Sequence, residues 1–140
     1  MKKVLVINPE VGVDVRNRLS KKFGPGFSLS YVQDYAGDDA KAHILSSIVE
    51  SEFLVLVVIP DASNEPQEWI IKEANRLGKR IIIVFLAQEE IPVPEIVSDY
   101  ADATVNIESA SFGKVVGGGD VFEDPDMKPA ASKTRPRSQC

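Results

Sequence analysis

Trp69 and Glu73 stand four residues apart in the segment EWIIKEANRLGKR, the spacing that sets two side chains one above the other on a helix. A carboxylate half-shielded by an indole can have a tuned pKa and a held rotamer, which suits a nucleophile or a group stabilising a developing cation. The same spacing admits a plainer arrangement. Glu73 borders an apolar stripe of Ile70, Ile71, Ala74 and Leu77 and has Arg76 three residues on, so it could be a surface glutamate paired with that arginine while Trp69 lids the core. Other reactive sets have almost no material: His43 is the only histidine and Cys140 the only cysteine, which argues against Ser-His-Asp and Cys-His triads and Cys/His zinc sites. Asp38 and Asp39 could ligate magnesium, but adjacent acids opening a helix read first as complements to its dipole, and no metal site is assigned.

The elements that must position Glu73 are legible on either side of it. Phe53 to Ile59 and Arg80 to Leu86 are unbroken apolar runs rich in Val and Ile, the pattern of parallel strands covered on both faces. Between them Asn64 can cap a helix, Pro66 suits its first turn and Gly78 can close it, giving one βαβ unit. Upstream, Lys3 to Ile7 is a short strand stopped by Asn8-Pro9, and Val11, Val15, Leu19 and Phe23 recur at helical spacing before Gly24-Pro25-Gly26. Phe27 to Val32 alternates apolar and polar residues, the mark of a strand with one wet face or an edge position. A helix from about Asp39 to Glu50 follows. Downstream come a proline-bearing loop, a short helix around Glu95 to Tyr100 and an alternating strand from Ala103 to Ile107.

Strands one, three and four read as buried and strands two and five as edges, which fits a flavodoxin-like doubly wound α/β fold: a five-stranded parallel sheet in the order 2-1-3-4-5 with helices on both faces. The domain is expected to span residues 1–111. Residues 112–140, with three consecutive glycines at 117–119, then an acidic and finally a basic stretch, read as a flexible tail or an assembly segment. The glycines precede no helix, so linker is preferred over a phosphate-cradling loop.

Such sheets bind ligands at the carboxyl ends of their strands, near the switch point between strands one and three. That rim holds Asn8, Asp34, Tyr35, Asp61 and Asn64, an acidic and amidic set without GxGxxG or GxxxxGK[ST], so nucleoside triphosphates and Rossmann-style dinucleotide binding are poorly supported. Asp34 and Asp61 could instead form a receiver-like acidic pocket, but no lysine follows the last strand at Asn106 to Ser109.

At 140 residues, 44% hydrophobic and 26% charged, the chain can bury a real core, and its net charge of −5 argues against non-specific nucleic-acid or anionic-membrane binding. The start MKKVLVINPE has too few consecutive apolar residues for a secretory leader, and one cysteine allows no internal disulfide, so a cytoplasmic setting is expected.

The segment from Asp34 to Leu86 resembles the Toll/interleukin-receptor (TIR) domain, especially its bacterial members. Gly37-Asp38, Ser51, Trp69, Glu73 and Gly78-Lys79 match the family's loop, its helix-ending serine, its W-x-x-x-E helix and its Gly-Lys in order and spacing. The resemblance implies an NAD glycohydrolase that splits the nicotinamide–ribose bond, with Glu73 catalytic, NAD as substrate and no separate cofactor. It also implies a homo-oligomer, or pairing with another TIR domain, through a loop that includes Gly37, Asp38 and His43, and a role in signalling or bacterial immunity. The chemistry suits the residues, because one carboxylate can stabilise an oxocarbenium-like state and a pyridinium leaves without a general acid. Asn8, Asp34, Asp61 and Asn64 could bond ribose hydroxyls, and Tyr35, Trp69 or Phe85 could stack on a ring.

Two alternatives stand beside it. Nucleoside deoxyribosyltransferases share the layout and place a glutamate nucleophile on the helix after an acid-ending strand; Asp61 or Glu65 would then protonate the departing base. Gln67, where the TIR family often has Ser or Cys, and a first strand ending INPE keep open a non-catalytic interaction or nucleotide-sensing module.

Overall fold

Five short runs of aliphatic and β-branched residues pair into one parallel sheet. The structure is a computed structural model, and it describes residues 2–7, 12–32, 37–58, 68–86, 99–119, 121–123 and 127. The strands are β1 (Lys2–Ile7), β2 (Phe27–Val32), β3 (Phe53–Val58), β4 (Arg80–Phe85) and β5 (Ala103–Asn106), and the helices are α1 (Val13–Phe23), α2 (Asp38–Glu50), α3 (Glu68–Arg76) and α4 (Phe112–Val116). The sheet order is β2-β1-β3-β4-β5 with every neighbouring pair parallel, the flavodoxin-like arrangement expected from the run lengths.

Side-chain alternation along the strands builds a core on each face. Leu5, Ile7, Leu54, Leu56, Ile81 and Ile83 point to one face and are covered by Ile44 and Ile48 of α2 and Ile70, Ile71 and Ala74 of α3. On the other face Val4, Val6, Val55, Val57, Ile82 and Val84 meet Leu19 and Phe23 of α1 and Phe112 and Val115 of α4. Both faces of β3 are buried along its whole length, which is why its sequence never alternates. Each such side chain contributes about 1.5–3 kcal/mol by leaving water. The α1 side also holds an aromatic group, Phe23 set edge-on to Phe27 and Phe112 and stacked with Phe53 at 5.3–5.8 Å between centroids.

Turn chemistry connects these elements. Gly78, at φ 73°, closes α3 with its N–H donating to the Asn75 carbonyl while Lys79 N–H donates to Ala74 O. The buried Asp102 carboxylate accepts the Ile81 N–H at 2.9 Å and so ties the start of β4 to the segment entering β5.

The fold continues beyond Ser111, into the stretch whose composition suggests a tail. Phe112 and Val115 are 3% and 1% exposed, and residues 121–123 run along the outer edge of β5: Thr104 N–H donates to Val121 O, and Glu123 N–H donates to Thr104 O. The glycines at 117–119 turn the chain between them, clamped by Arg80, whose guanidinium donates to Val115 O at 2.9 Å and Gly119 O at 2.7 Å. Residues 124–126 and 128–140 lie outside the described residues, as do Asn64 and Pro66 before α3 and the expected helix around Glu95 except Asp99 and Tyr100, which are helical.

Candidate functional site

The crossing of α2 and α3 builds the surroundings of Glu73. The buried stripe of α3 is Ile70, Ile71 and Ala74, each fully enclosed, and this fixes the helix's rotation, leaving Trp69 and Glu73 along its margin. Trp69 is half-buried against the core, and the Lys41 ammonium of α2 stands 5.1 Å from its ring centroid. A cation over an indole at this distance contributes about 0.5–1 kcal/mol when solvent-exposed. The Glu73 side chain is 23% exposed and its carboxylate accepts hydrogen bonds from the Arg76 guanidinium, itself 69% exposed. These are the contacts of the plainer arrangement, glutamate paired with arginine and indole over the core. They also define a carboxylate at the border between apolar surface and water, with Arg76 beside it and, one turn back on the helix, Lys41 over Trp69.

Position along the helix matters for what Glu73 can reach. Since α3 descends from the carboxyl edge of β3 and leads through Gly78 into the start of β4, Trp69 lies nearer the ligand-binding rim and Glu73 one turn further in, about 6 Å along the axis. Phe85, a candidate stacking ring, is 6% exposed at the end of β4 and belongs to the core on the α2–α3 face. Asn8, Asp34, Tyr35, Asp61 and Asn64 lie outside the described residues. Gly37 takes φ 90° immediately before α2, and Asp38 and Asp39 are exposed in its first turn, complementing the helix dipole. His43 is exposed on the flank of α2 turned away from α3, so the structure does not bring it to Glu73.

That flank holds a feature not anticipated from the sequence, a half-open cavity of about 410 Å³ between α2 and β2. Its signal was present in the alternation of β2. Phe27, Leu29 and Tyr31 pack toward α1, which leaves Ser28 and Ser30 on the face that α2 only partly covers.

Elsewhere among the described residues two titrating groups depart from their ordinary values. Arg18 of α1 donates to Glu108 at 2.8 Å across to the turn after β5, and this bond holds the Glu108 carboxyl below the usual glutamate range. Burial raises the Tyr31 hydroxyl, opposed by the Arg16 guanidinium 4.3 Å from its ring centroid and by the nearby Ser20 hydroxyl, which makes no hydrogen bond of good geometry to it. Among the described residues no group of three or more His, Cys, Asp or Glu side chains could hold a metal ion, and no helix is long and apolar enough to cross a membrane.

Among solved structures, the fold resembles that of a 2-deoxyribosyltransferase from the psychrotolerant bacterium Bacillus psychrosaccharolyticus, characterised as a biocatalyst for nucleoside synthesis. The TM-score is 0.54 at 13% sequence identity, over 92% of this chain and 99% of that chain. At that identity the likeness establishes the shared α/β architecture. No protein-family model matches the chain, and no curated protein matches it significantly.

Proposed function

We propose that the protein acts on the N-glycosidic bond of a small nucleoside or nucleotide, and that its reaction is deoxyribosyl transfer between nucleobases with Glu73 as the reacting carboxylate. The end-to-end likeness to a 2-deoxyribosyltransferase, spanning 92% of this chain, carries the reading. The chemistry is within reach of the residues present. A Glu73 oxygen attacks the anomeric carbon, the C1′–N bond breaks with its electrons going to the base, and the base takes a proton from an acid. Asp61 and Glu65, in the segment between β3 and α3, are the candidates for that acid. The incoming base then attacks C1′, the glycosyl ester breaks, the carboxylate is regenerated, and the displaced proton returns to the conjugate base of the acid.

Arg76 holds the Glu73 carboxylate through its guanidinium hydrogen bonds, and its own exposure lets it swing aside when substrate arrives. Trp69 supplies an apolar wall one turn nearer the rim.

Cleavage of NAD is the second reading, favoured by one observation: Trp69 and Glu73 lie one above the other on α3, as the TIR-like W-x-x-x-E pattern requires. The two part on the leaving group. Nicotinamide departs from a cation and needs no acid, whereas a neutral nucleobase does. Purified protein is therefore given thymidine plus adenine in one vessel and NAD in another. Appearance of 2′-deoxyadenosine supports transfer, release of nicotinamide alone supports the glycohydrolase, and neither product leaves a binding or interaction module as the better account.

A further inference from the structure

We propose that the cavity between β2 and α2 is a second small-molecule site, distinct from Glu73, that takes an unphosphorylated, donor-rich ligand with one apolar face, of the nucleoside class. The cavity exists because β2 is an edge strand whose Phe27, Leu29 and Tyr31 pack toward α1, leaving only Val32 at its end as an apolar residue on the α2 side. Register places Leu5 beside Ser30 and Ile7 beside Val32, so the face of β2 turned toward α2 carries a serine where an inner strand would carry an aliphatic side chain. Helix α2 sits over the inner strands through Ile44 and Ile48, and the space over β2 remains.

The lining sets the ligand's chemistry. Buried Leu5, Val32 and Ile44 make an aliphatic floor, and above it stand the Ser30 hydroxyl, the Asp39 carboxylate and the His43 imidazole, the last two one helical turn apart on one side of α2. The Ser47 hydroxyl, one turn further on, already donates to the His43 carbonyl at 2.9 Å and so has only acceptor capacity left. The site is rich in acceptors, holds one carboxylate, and has no lysine or arginine among the described lining residues. A phosphate would meet Asp39 without a compensating cation, whereas sugar hydroxyls and an exocyclic amine supply the missing donors and a heterocycle covers the floor. At about 410 Å³ the volume falls in the range of small-molecule sites. Lys41 and Trp69 lie on the opposite flank of α2, and a helix with its side chains is about 10 Å across, so an occupant here does not touch Glu73. The choice of nucleoside rests on the function proposed above, while the preference for an uncharged, donor-rich ligand rests on the lining alone.

His43, the only histidine, is a built-in reporter. The full chain is titrated with 2′-deoxyadenosine and separately with its 5′-monophosphate while the His43 imidazole proton resonances are followed by NMR. Expected are a saturable shift with the nucleoside, binding at least tenfold weaker with the monophosphate, loss of the shift in Ser30→Phe, which fills the cavity from an exposed strand position, and an unchanged shift in Glu73→Gln. No saturable shift, equal binding of the two ligands, or a shift that survives Ser30→Phe overturns the proposal. Saturable binding in a protein with no deoxyribosyl transfer would instead refute only the function above.

Discussion

Removing everything after Ser111 should cost most of the protein's stability, because the segment that follows is core. Phe112 is 3% exposed and sets its ring edge-on to Phe23 at 5.3 Å, and Val115 is 1% exposed on the same side of the sheet. Deleting a buried phenylalanine costs about 3–5 kcal/mol, and unburying a valine adds about 1.5–3. Truncation also takes away the carbonyls that satisfy the Arg80 guanidinium and the 121–123 segment that pairs with Thr104. The sum, about 5–8 kcal/mol, is comparable to the 5–15 kcal/mol that holds a typical domain folded. Urea unfolding followed by circular dichroism reads this out: with a slope of about 1–3 kcal/mol per molar, a loss of 5 kcal/mol moves the midpoint down by about 2 M or more. Phe112→Ala in the full chain isolates the side chain and should itself lower stability by about 3–5 kcal/mol. A 1–111 fragment whose midpoint stays within about 0.5 M of the full chain's would refute the account of how α4 is held.

Three further outcomes follow from particular contacts. Glu73→Gln should change stability by less than about 1 kcal/mol, since its partner Arg76 is largely exposed and such helix pairs contribute only tenths, so a normal thermal melt separates any loss of activity from unfolding. Asp102→Ala should destabilise by about 1–3 kcal/mol in the same melts, because it strips the buried Ile81 N–H of its acceptor. The Arg18–Glu108 bond lowers the Glu108 pKa, so its contribution is present above the unfolded value and is lost as pH falls through the folded one. Carboxyl NMR titration should therefore find Glu108 below the ordinary range in the wild type and returned to it in Arg18→Ala.

The sheet was legible because its physics is local: β3 and β4 must be apolar on both faces, β2 and β5 need not be, and the doubly wound order 2-1-3-4-5 puts each strand where its pattern fits. Gly78 was legible for a similar reason, its positive φ being a conformation other residues resist. Helix α4 was not. Five residues, Phe112-Gly113-Lys114-Val115-Val116, are too short to show a period and include a glycine, so burial against α1 and β5 decides their conformation. The Arg80 clamp joins residues distant in sequence and leaves no local trace. At the candidate site, the relative placement of Trp69 and Glu73 followed from helical spacing and the Arg76 pair from the same arithmetic. Lys41 over Trp69 depends on how α2 and α3 cross, which periodicity does not encode. Phe85 reads as a rim residue by position, yet its side chain falls on the covered face.

The most direct test of the central claim is the rate of 2′-deoxyadenosine formation from thymidine and adenine by the wild type and by Glu73→Gln, with both shown to be folded. The account predicts product from the wild type and at least about a 100-fold loss in the variant, the scale expected when a reacting carboxylate is removed. Equal rates in the two proteins would remove Glu73 from the chemistry, and no product from either would contradict the proposed transfer itself.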